Sequence, residues 1–277
     1  MKNFKLAGTV PALALALSAG AASALTYDQD VTPDVIFGSG NANGGFTVDQ
    51  ANGVELGLRG KLRFDETNSP QNTYNSNGDG TYTFRAGAAP SGFGFDPNSP
   101  TTPIWNFEWS VNSDYEGSTG NNLDAFDYLL ELDTDPGAGT TFVSPFDPIN
   151  VLQADHGIGD NSTGNGGGGT GIPARGGDPA DLAAYAALIA DNNVAQNSWS
   201  YEFFNSASGD PTFGFDPNVP GDYLIRLSAR NSDGEVLAST EITISAVAPV
   251  PVPAALPLLL AGLGGLGLVA RRKRKAA

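Results

Sequence analysis

Few residues in this chain are able to carry chemistry. There is one histidine, His156, and no cysteine, so thiol nucleophiles, thiolate metal sites and iron–sulfur clusters are excluded and a Ser-His-Asp triad has only one possible base. His156 stands in ADHGIGDNSTGNGGGGTG, a glycine-rich stretch expected to be a solvated loop. Carboxylates remain. Glycoside hydrolysis needs only two of them flanking a sugar cleft, and Glu108 and Glu131 sit on the polar side of what read as neighbouring strands, with Trp105, Trp109 and Trp199 as candidate stacking platforms. The same alternation turns Trp105 and Trp109 inward, which makes them core, and leaves Glu108 on a solvated face.

Calcium is the other chemistry that loop carboxylates serve, because the ion takes hard oxygen ligands. NSNGDG (Asn75, Asn77, Asp79, Gly80) opens like an EF-hand loop, but its twelfth position falls on Ala86 and its flanks are strand-like, so it reads as a hairpin turn. Asp133 and Asp135 in DTDPGAG are the carboxylate pair retained as a possible calcium site; Asp28 and Asp30 offer another pair. Ordinary acidic turns on an acidic protein are the plainer explanation of both pairs.

The elements that would position these residues follow a period of two. In IWNFEWSVN, Trp105, Phe107, Trp109 and Val111 face one way and Asn106, Glu108 and Ser110 the other, the pattern of a half-buried antiparallel strand. FDYLLELDTD alternates through Tyr128, Leu130 and Leu132 and is expected to pair with it as a hairpin. DYLIRLSARNSDGEVLASTEITISAV reads as a closing hairpin, with Tyr223, Ile225, Leu227 and Ala229 inward and the turn at Ser232-Asp233-Gly234. DVIFGSG, GGFTVD, GVELGLRGKLRF and GTYTFRAG are further strands between Asn/Gly turns. One helix interrupts them: DPADLAAYAALIADNN has Asp178 as N-cap, Pro179 at the first helical position, and Leu182, Tyr185, Ala186, Leu188 and Ile189 along one side. FGFDPNSP at 93–100 returns as FGFDPNVP at 213–220. Duplication of a module and reuse of an Asx-Pro turn both explain the repeat, and the unequal intervening lengths favour reuse. The expected fold is all-β: an immunoglobulin-like sandwich body with one inserted helix, an N-terminal signal helix and a C-terminal transmembrane helix.

The two ends differ from the body in kind. Lys2 and Lys5 precede an Ala/Leu-rich run, and Ala22-Ser23-Ala24 presents the small residues a signal peptidase accepts, so residues 1–24 read as a secretory leader. The acidic body is expected over 25–247 and a tail over 248–277. Once the leader and tail are set aside, seven cations face thirty carboxylates, a formal charge of −23 against −16 for the whole chain. That surface repels nucleic acid and stays soluble where salt screens it. Without disulfides the exported body must hold itself together by its core, and its length allows that.

The tail has three ordered parts: Val250-Pro251-Val252-Pro253-Ala254, a Leu/Gly-rich uncharged segment over 254–270, and the basic cluster Arg271, Arg272, Lys273, Arg274, Lys275. The apolar segment is at most ~25 Å as a helix against a hydrocarbon core of ~30 Å, a marginal span. The basic cluster orients it with the C-terminus in the cytoplasm. This order resembles the PEP-CTERM superfamily of exosortase substrates, most closely its VPLPA-CTERM variant, with Val252 where the family has leucine. The resemblance implies a sorting tag read in the inner membrane by an exosortase, a cysteine transpeptidase, with processing near Val250 to Ala254. It further implies a Gram-negative cell-surface or extracellular-matrix protein of structural or adhesive function, without enzymatic activity, in contact with exopolysaccharide and a biofilm matrix. A carbohydrate- or calcium-binding module is the alternative, and a secreted glycoside hydrolase the second. Alternating prolines hold an extended backbone that an enzyme groove can grip.

Overall fold

A computed structural model of the chain describes residues 24–64, 72–89, 101–137, 139–150, 156–171, 179–204 and 214–249. The leader through Ser23, the first FGFDPNSP copy, the N-cap candidate Asp178 and the tail from Val250 onward lie outside these residues. Period-two alternation builds most of the elements: β1 (Thr26–Gln29), β2 (Phe46–Ala51), β3 (Val54–Leu62), β4 (Thr81–Arg85), β5 (Trp105–Asn112), β6 (Asp127–Asp133), β7 (Phe142–Phe146), β8 (His156–Gly159), β9 (Gly169–Gly171), β10 (Val194–Trp199), β11 (Gly221–Arg230) and β12 (Val236–Val247). The helix α1 (Pro179–Asp191) lies between β9 and β10, where its sequence places it. Among the described residues no helix is long and apolar enough to cross a membrane.

The strands form two sheets. The first runs β1-β2-β3-β5-β10-β8-β9, with each neighbouring pair antiparallel; the second runs β4-β12-β11-β6-β7. In the second sheet β4 is parallel to β12 and the remaining pairs are antiparallel. The expected closing hairpin is present as β11–β12, and its inward residues Tyr223, Ile225, Leu227 and Ala229 are buried. Tyr128, Leu130 and Leu132 are buried as their alternation requires.

Two expectations fail. β5 and β6 do not form a hairpin, because β5 is already paired on both edges, by β3 and by β10, so the chain leaves for the other sheet. DVIFGSG is not a strand. Val35 and Ile36 are wholly buried, but the Ile36 N–H donates to Gln196 Oε1 (2.8 Å), and the Val35 and Ile36 carbonyls accept from the N–H groups of Gly166 and Gly168. The segment is a loop laid over the outside of the first sheet, and side chains and loop backbone take the place of a ladder.

Between the sheets lies an aromatic core. Trp105, Phe107, Trp109 and Val111 project from β5 into it. Trp105 sits 5.4 Å from Tyr201, 5.7 Å from Phe215 and 6.0 Å from Tyr223, ring centre to ring centre. Only the Trp105–Phe215 pair is edge-to-face and the other two are tilted; aromatic pairs at such distances add about 0.5–1.5 kcal/mol each beyond their area burial, which suits a body without cross-links. The Tyr223 hydroxyl donates back to the Val219 carbonyl at 3.0 Å and pins the entry to β11. Tyr185, Leu188 and Ile189 join the core from α1, while Leu182 and Ala186 face out, so the helix contributes a narrower stripe than its composition suggests.

The crossing from β5 to β6 is fastened by Asp114, whose carboxylate accepts the N–H groups of Ser118 (2.9 Å), Thr119 (2.9 Å) and Gly120 (2.8 Å). Burial alone would raise this carboxyl, but those donors outweigh it and hold it below its ordinary value. A depressed acid contributes stability above its unfolded value of 3.8 and loses it as pH falls through the lower folded value. Asp114→Asn is therefore expected to lower the melting temperature at neutral pH and to reduce the steepness of its fall below about pH 4; identical acid limbs in the two proteins would disprove the assignment.

A second prediction concerns how closely the sheets approach. Gly60 faces the core side of β3, where an added Cβ would lie 2.7 Å from Ile244 Cδ1, 2.8 Å from Phe84 Cε2 and 2.9 Å from Tyr82 Cβ. Gly60→Val should lower unfolding free energy in urea by about 1–3 kcal/mol through overpacking. No change in the urea midpoint would mean that the sheets are farther apart at this point.

Candidate functional site

Alternation places Glu108 on a solvated face, yet the outer face of the first sheet is buried. On β3 the outward residues are Glu55, Gly57, Arg59 and Lys61, followed past the strand end by Arg63; on β5 they are Asn106, Glu108, Ser110 and Asn112. Arg59 is 0 % and Glu108 1 % exposed. The cover is the loop 31–45. It crosses Gly57, where a Cβ would come within 2.6 Å of Val31 Cγ1.

At the centre of this face are three charges. Register places Arg59 directly opposite Glu108. Arg59 Nε donates to Glu108 Oε2 at 2.6 Å, and Lys61 Nζ forms an ion pair with Glu108 Oε1 at 3.1 Å. Arg59 Nη1 donates to the carbonyls of Ala42 (3.0 Å) and Gly44 (2.5 Å) in the covering loop. Its guanidinium is held between the Phe46 and Tyr74 rings, 4.1 and 4.0 Å from their centres. Lys61 also donates to Asn41 Oδ1. Burial lowers the Lys61 ammonium from its ordinary value, Glu108 pulls it back up, and the Arg59 and Arg63 charges lower it further.

The cover is stitched on by side-chain amides. Gln196, 0 % exposed, accepts from Ile36 N–H through Oε1 and donates through Nε2 to the Asp34 carbonyl (2.8 Å) and Ser110 Oγ (3.1 Å). Glu55 accepts from Thr32 N–H (2.6 Å) and Gln50 Nε2 (2.6 Å); burial raises its carboxyl and these donors restrain the rise. Asn112, Asn161 and Asn193 form a linked set of amides.

Beside the charges the cover leaves a recess of about 290 Å³. Lys61, Arg63, Asn106 and Glu108 form its charged and amide wall, and Phe37, Phe64 and Phe203 its aromatic edges. Arg63 is half-buried and lies 5.1 Å from the Phe64 ring centre. Asn106 Nδ2 donates to Ser198 Oγ, while Asn106 Oδ1 is buried without a hydrogen-bond partner. A shallower hollow of about 230 Å³ shares Phe37 and Gly38 with the recess and is lined by His156 and Asn197.

The remaining candidate residues are dispersed. Glu131 is on the second sheet, where Arg226 lies 3.5 Å from it and 2.7 Å from Glu241. The strands carrying Glu108 and Glu131 belong to different sheets, and the two carboxylates point out from opposite sides of the sandwich, so no cleft has them as its two walls. Trp105, Trp109 and Trp199 are all core. His156 is not a solvated loop residue. It is 4 % exposed on β8, with Nε2 3.1 Å from the Tyr185 hydroxyl, which itself donates to the Ile149 carbonyl. Its burial follows from β8 joining the edge of the first sheet through β10, a pairing that the glycine-rich composition concealed. Asp133 Oδ1 accepts the N–H groups of Asp135 (3.0 Å) and Thr141 (2.8 Å), and Asp135 Oδ1 that of Gly137 (2.8 Å), so both carboxylates order their own turn. Among the described residues no group of three or more His, Cys, Asp or Glu converges to hold a metal ion. NSNGDG is the turn its flanks imply, closed by an Asn77 N–H to Thr81 carbonyl bond at 2.9 Å.

Comparison with known proteins found no matching family model, no similar curated protein and no similar solved structure.

Removing the central charge tests this arrangement. Glu108→Gln would leave Arg59 and Lys61 buried together without compensation, and breaking such a pair costs about 3–5 kcal/mol. Urea unfolding should show a loss of that order, partly recovered by adding Arg59→Met. A loss under about 1 kcal/mol, the scale of an exposed pair, would mean that water reaches the cluster.

Proposed function

We propose that the chain is an exported structural or adhesive protein of the cell surface or extracellular matrix, without enzymatic activity, delivered by its leader and released from a transient membrane anchor by an exosortase. The order of the tail carries this reading: an extended Pro-rich motif at Val250 to Ala254, a span too short to anchor firmly, and five consecutive basic residues behind it. Signal peptidase would act after Ala22-Ser23-Ala24.

An immunoglobulin-like body fits this role, and several details support it. Omitting the edge strands β1, β2, β4 and β9, one sheet runs β3-β5-β10-β8 and the other β12-β11-β6-β7, the arrangement of the A-B-E-D and G-F-C-C′ strands of that sandwich in chain order. The bond from Tyr223 to Val219 at the start of β11 has the form of the tyrosine corner found at the equivalent place. Such bodies present loops and faces for binding and need no catalytic group.

The alternative reading, a carbohydrate-binding module, is favoured by the recess beside Lys61 and Arg63. Calcium binding would have to draw Asp133 and Asp135 away from their turn, and a glycosidase would need a partner for Glu108 other than Glu131.

Mass spectrometry of the protein recovered from its producing cells tests the sorting reading. The expected result is a C-terminus near Val250 to Ala254 and no peptide containing Arg271. Mature protein that retains Arg271 to Lys275 would overturn it.

A further inference from the structure

Among the described residues most cations of this acidic protein are already engaged or lie apart from one another. Arg226 pairs with Glu131 and Glu241, and Arg59 is enclosed by Glu108, Phe46 and Tyr74. Arg63 differs. Its guanidinium contacts the Phe64 ring and meets no carboxylate among the described residues. It lines the same recess as Lys61, so two cations and Glu108 share the wall, with the Arg59 charge directly behind. Among the described residues the charge lining the recess is net positive, in a chain whose formal charge is −16.

A second observation is independent of charge. Asn106 is 3 % exposed and lines the recess, and its Oδ1 has no donor among the described residues. A buried unsatisfied acceptor is unfavourable by about 1–3 kcal/mol unless something donates to it. The recess therefore presents a cationic side suited to a carboxylate, an amide oxygen suited to a hydroxyl, and flanking phenylalanines suited to the apolar face of a ring. Its volume of about 290 Å³ is at the small end of ligand pockets, room for a single sugar-sized unit. The hollow on the other side of Phe37 and Gly38 offers space for a continuing chain.

We propose that this recess binds one hexuronate unit of an acidic polysaccharide, with its carboxylate at Arg63 and Lys61 and a ring hydroxyl donating to Asn106 Oδ1. The proposal rests on the reading of the body as an extracellular module and names the ligand class it would hold there. A bare inorganic anion would satisfy the cations and leave Asn106 unpaired. A neutral sugar would satisfy Asn106 and leave Arg63 without a counter-charge.

Calorimetric titration of the full chain with trigalacturonate at low ionic strength tests it, with maltotriose and acetate as the neutral-sugar and bare-carboxylate probes. Trigalacturonate is expected to bind and both other probes to fail at the same concentration. Arg63→Gln, which breaks no carboxylate contact among the described residues, should weaken trigalacturonate at least about tenfold, the scale of one charge-assisted hydrogen bond. Arg85→Gln, at an exposed position on β4, should leave binding unchanged. Absence of trigalacturonate binding, equal binding of maltotriose, equal competition by acetate, or indifference to Arg63→Gln would each overturn the proposal. None of these outcomes depends on how the tail is processed, and retention of Arg271 in the mature protein would leave this measurement untouched, so the two readings fail separately.

Discussion

The ion cluster Arg59–Glu108–Lys61 is the constraint on which the outer half of the molecule depends. Three charges in the middle of a sheet are unfavourable to bury, by several kcal/mol per ion after relaxation, and their mutual attraction offsets this only when their remaining donors are satisfied. Here Arg59 reaches two carbonyls of the covering loop and Lys61 an amide of the same loop. The loop 31–45 is therefore held by the charges it covers. It is pinned farther along by Gln196, Glu55 and Asn165, whose Nδ2 donates to the Val35 and Asn41 carbonyls. Loss of the cluster would loosen the cover, and loss of the cover would admit water to the cluster.

This arrangement gives the first sheet two unlike faces. Toward the second sheet it is aromatic, and the contact is close enough that β3 needs glycine at position 60. Away from it the face is amide and ion. A hydrophobic face is non-directional and tolerates small shifts of one sheet on the other; a hydrogen-bonded face fixes the register of whatever covers it. The aromatic side buries the hydrophobic core, and the polar side specifies where a long, otherwise irregular segment comes to rest. In a body without disulfides, that division explains how so much Asn- and Gly-rich sequence is ordered.

Period-two alternation made the inner half legible. Trp105, Phe107, Trp109, Tyr128 and Tyr223 could be assigned to the core because each alternates with polar neighbours, and α1 could be placed by Pro179 and its apolar stripe. The outer half was not legible by the same rule. Alternation states which residues share a face, and it is silent about whether that face meets solvent or a covering loop. Glu108 reads the same under water or under residues 31–45. A signal did exist in LGLRGKLRF, where Arg59, Lys61 and Arg63 fall on one side of one strand in a body with only seven cations. Such crowding of scarce positive charge calls for a buried partner, and Glu108 on the adjacent strand supplies it. The β5–β6 connection was misread for a related reason: proximity in sequence favours hairpins, but a strand already paired on both edges has none to offer.

The uneven placement of charge has a consequence for encounter. With carboxylates spread over the exterior and three cations gathered along β3 and just past its end, the long-range field repels an anion while the recess attracts it. These two fields have different reach. At physiological ionic strength the Debye length is about 8 Å, so the repulsion from distant carboxylates is screened while the partly buried cations remain effective, because salt screens buried charge much less. Raising salt would weaken the direct contact and the repulsive barrier together, and the two changes oppose each other. A protein built in this way suits surroundings in which salt is abundant, the same surroundings in which so acidic a surface escapes its own self-repulsion.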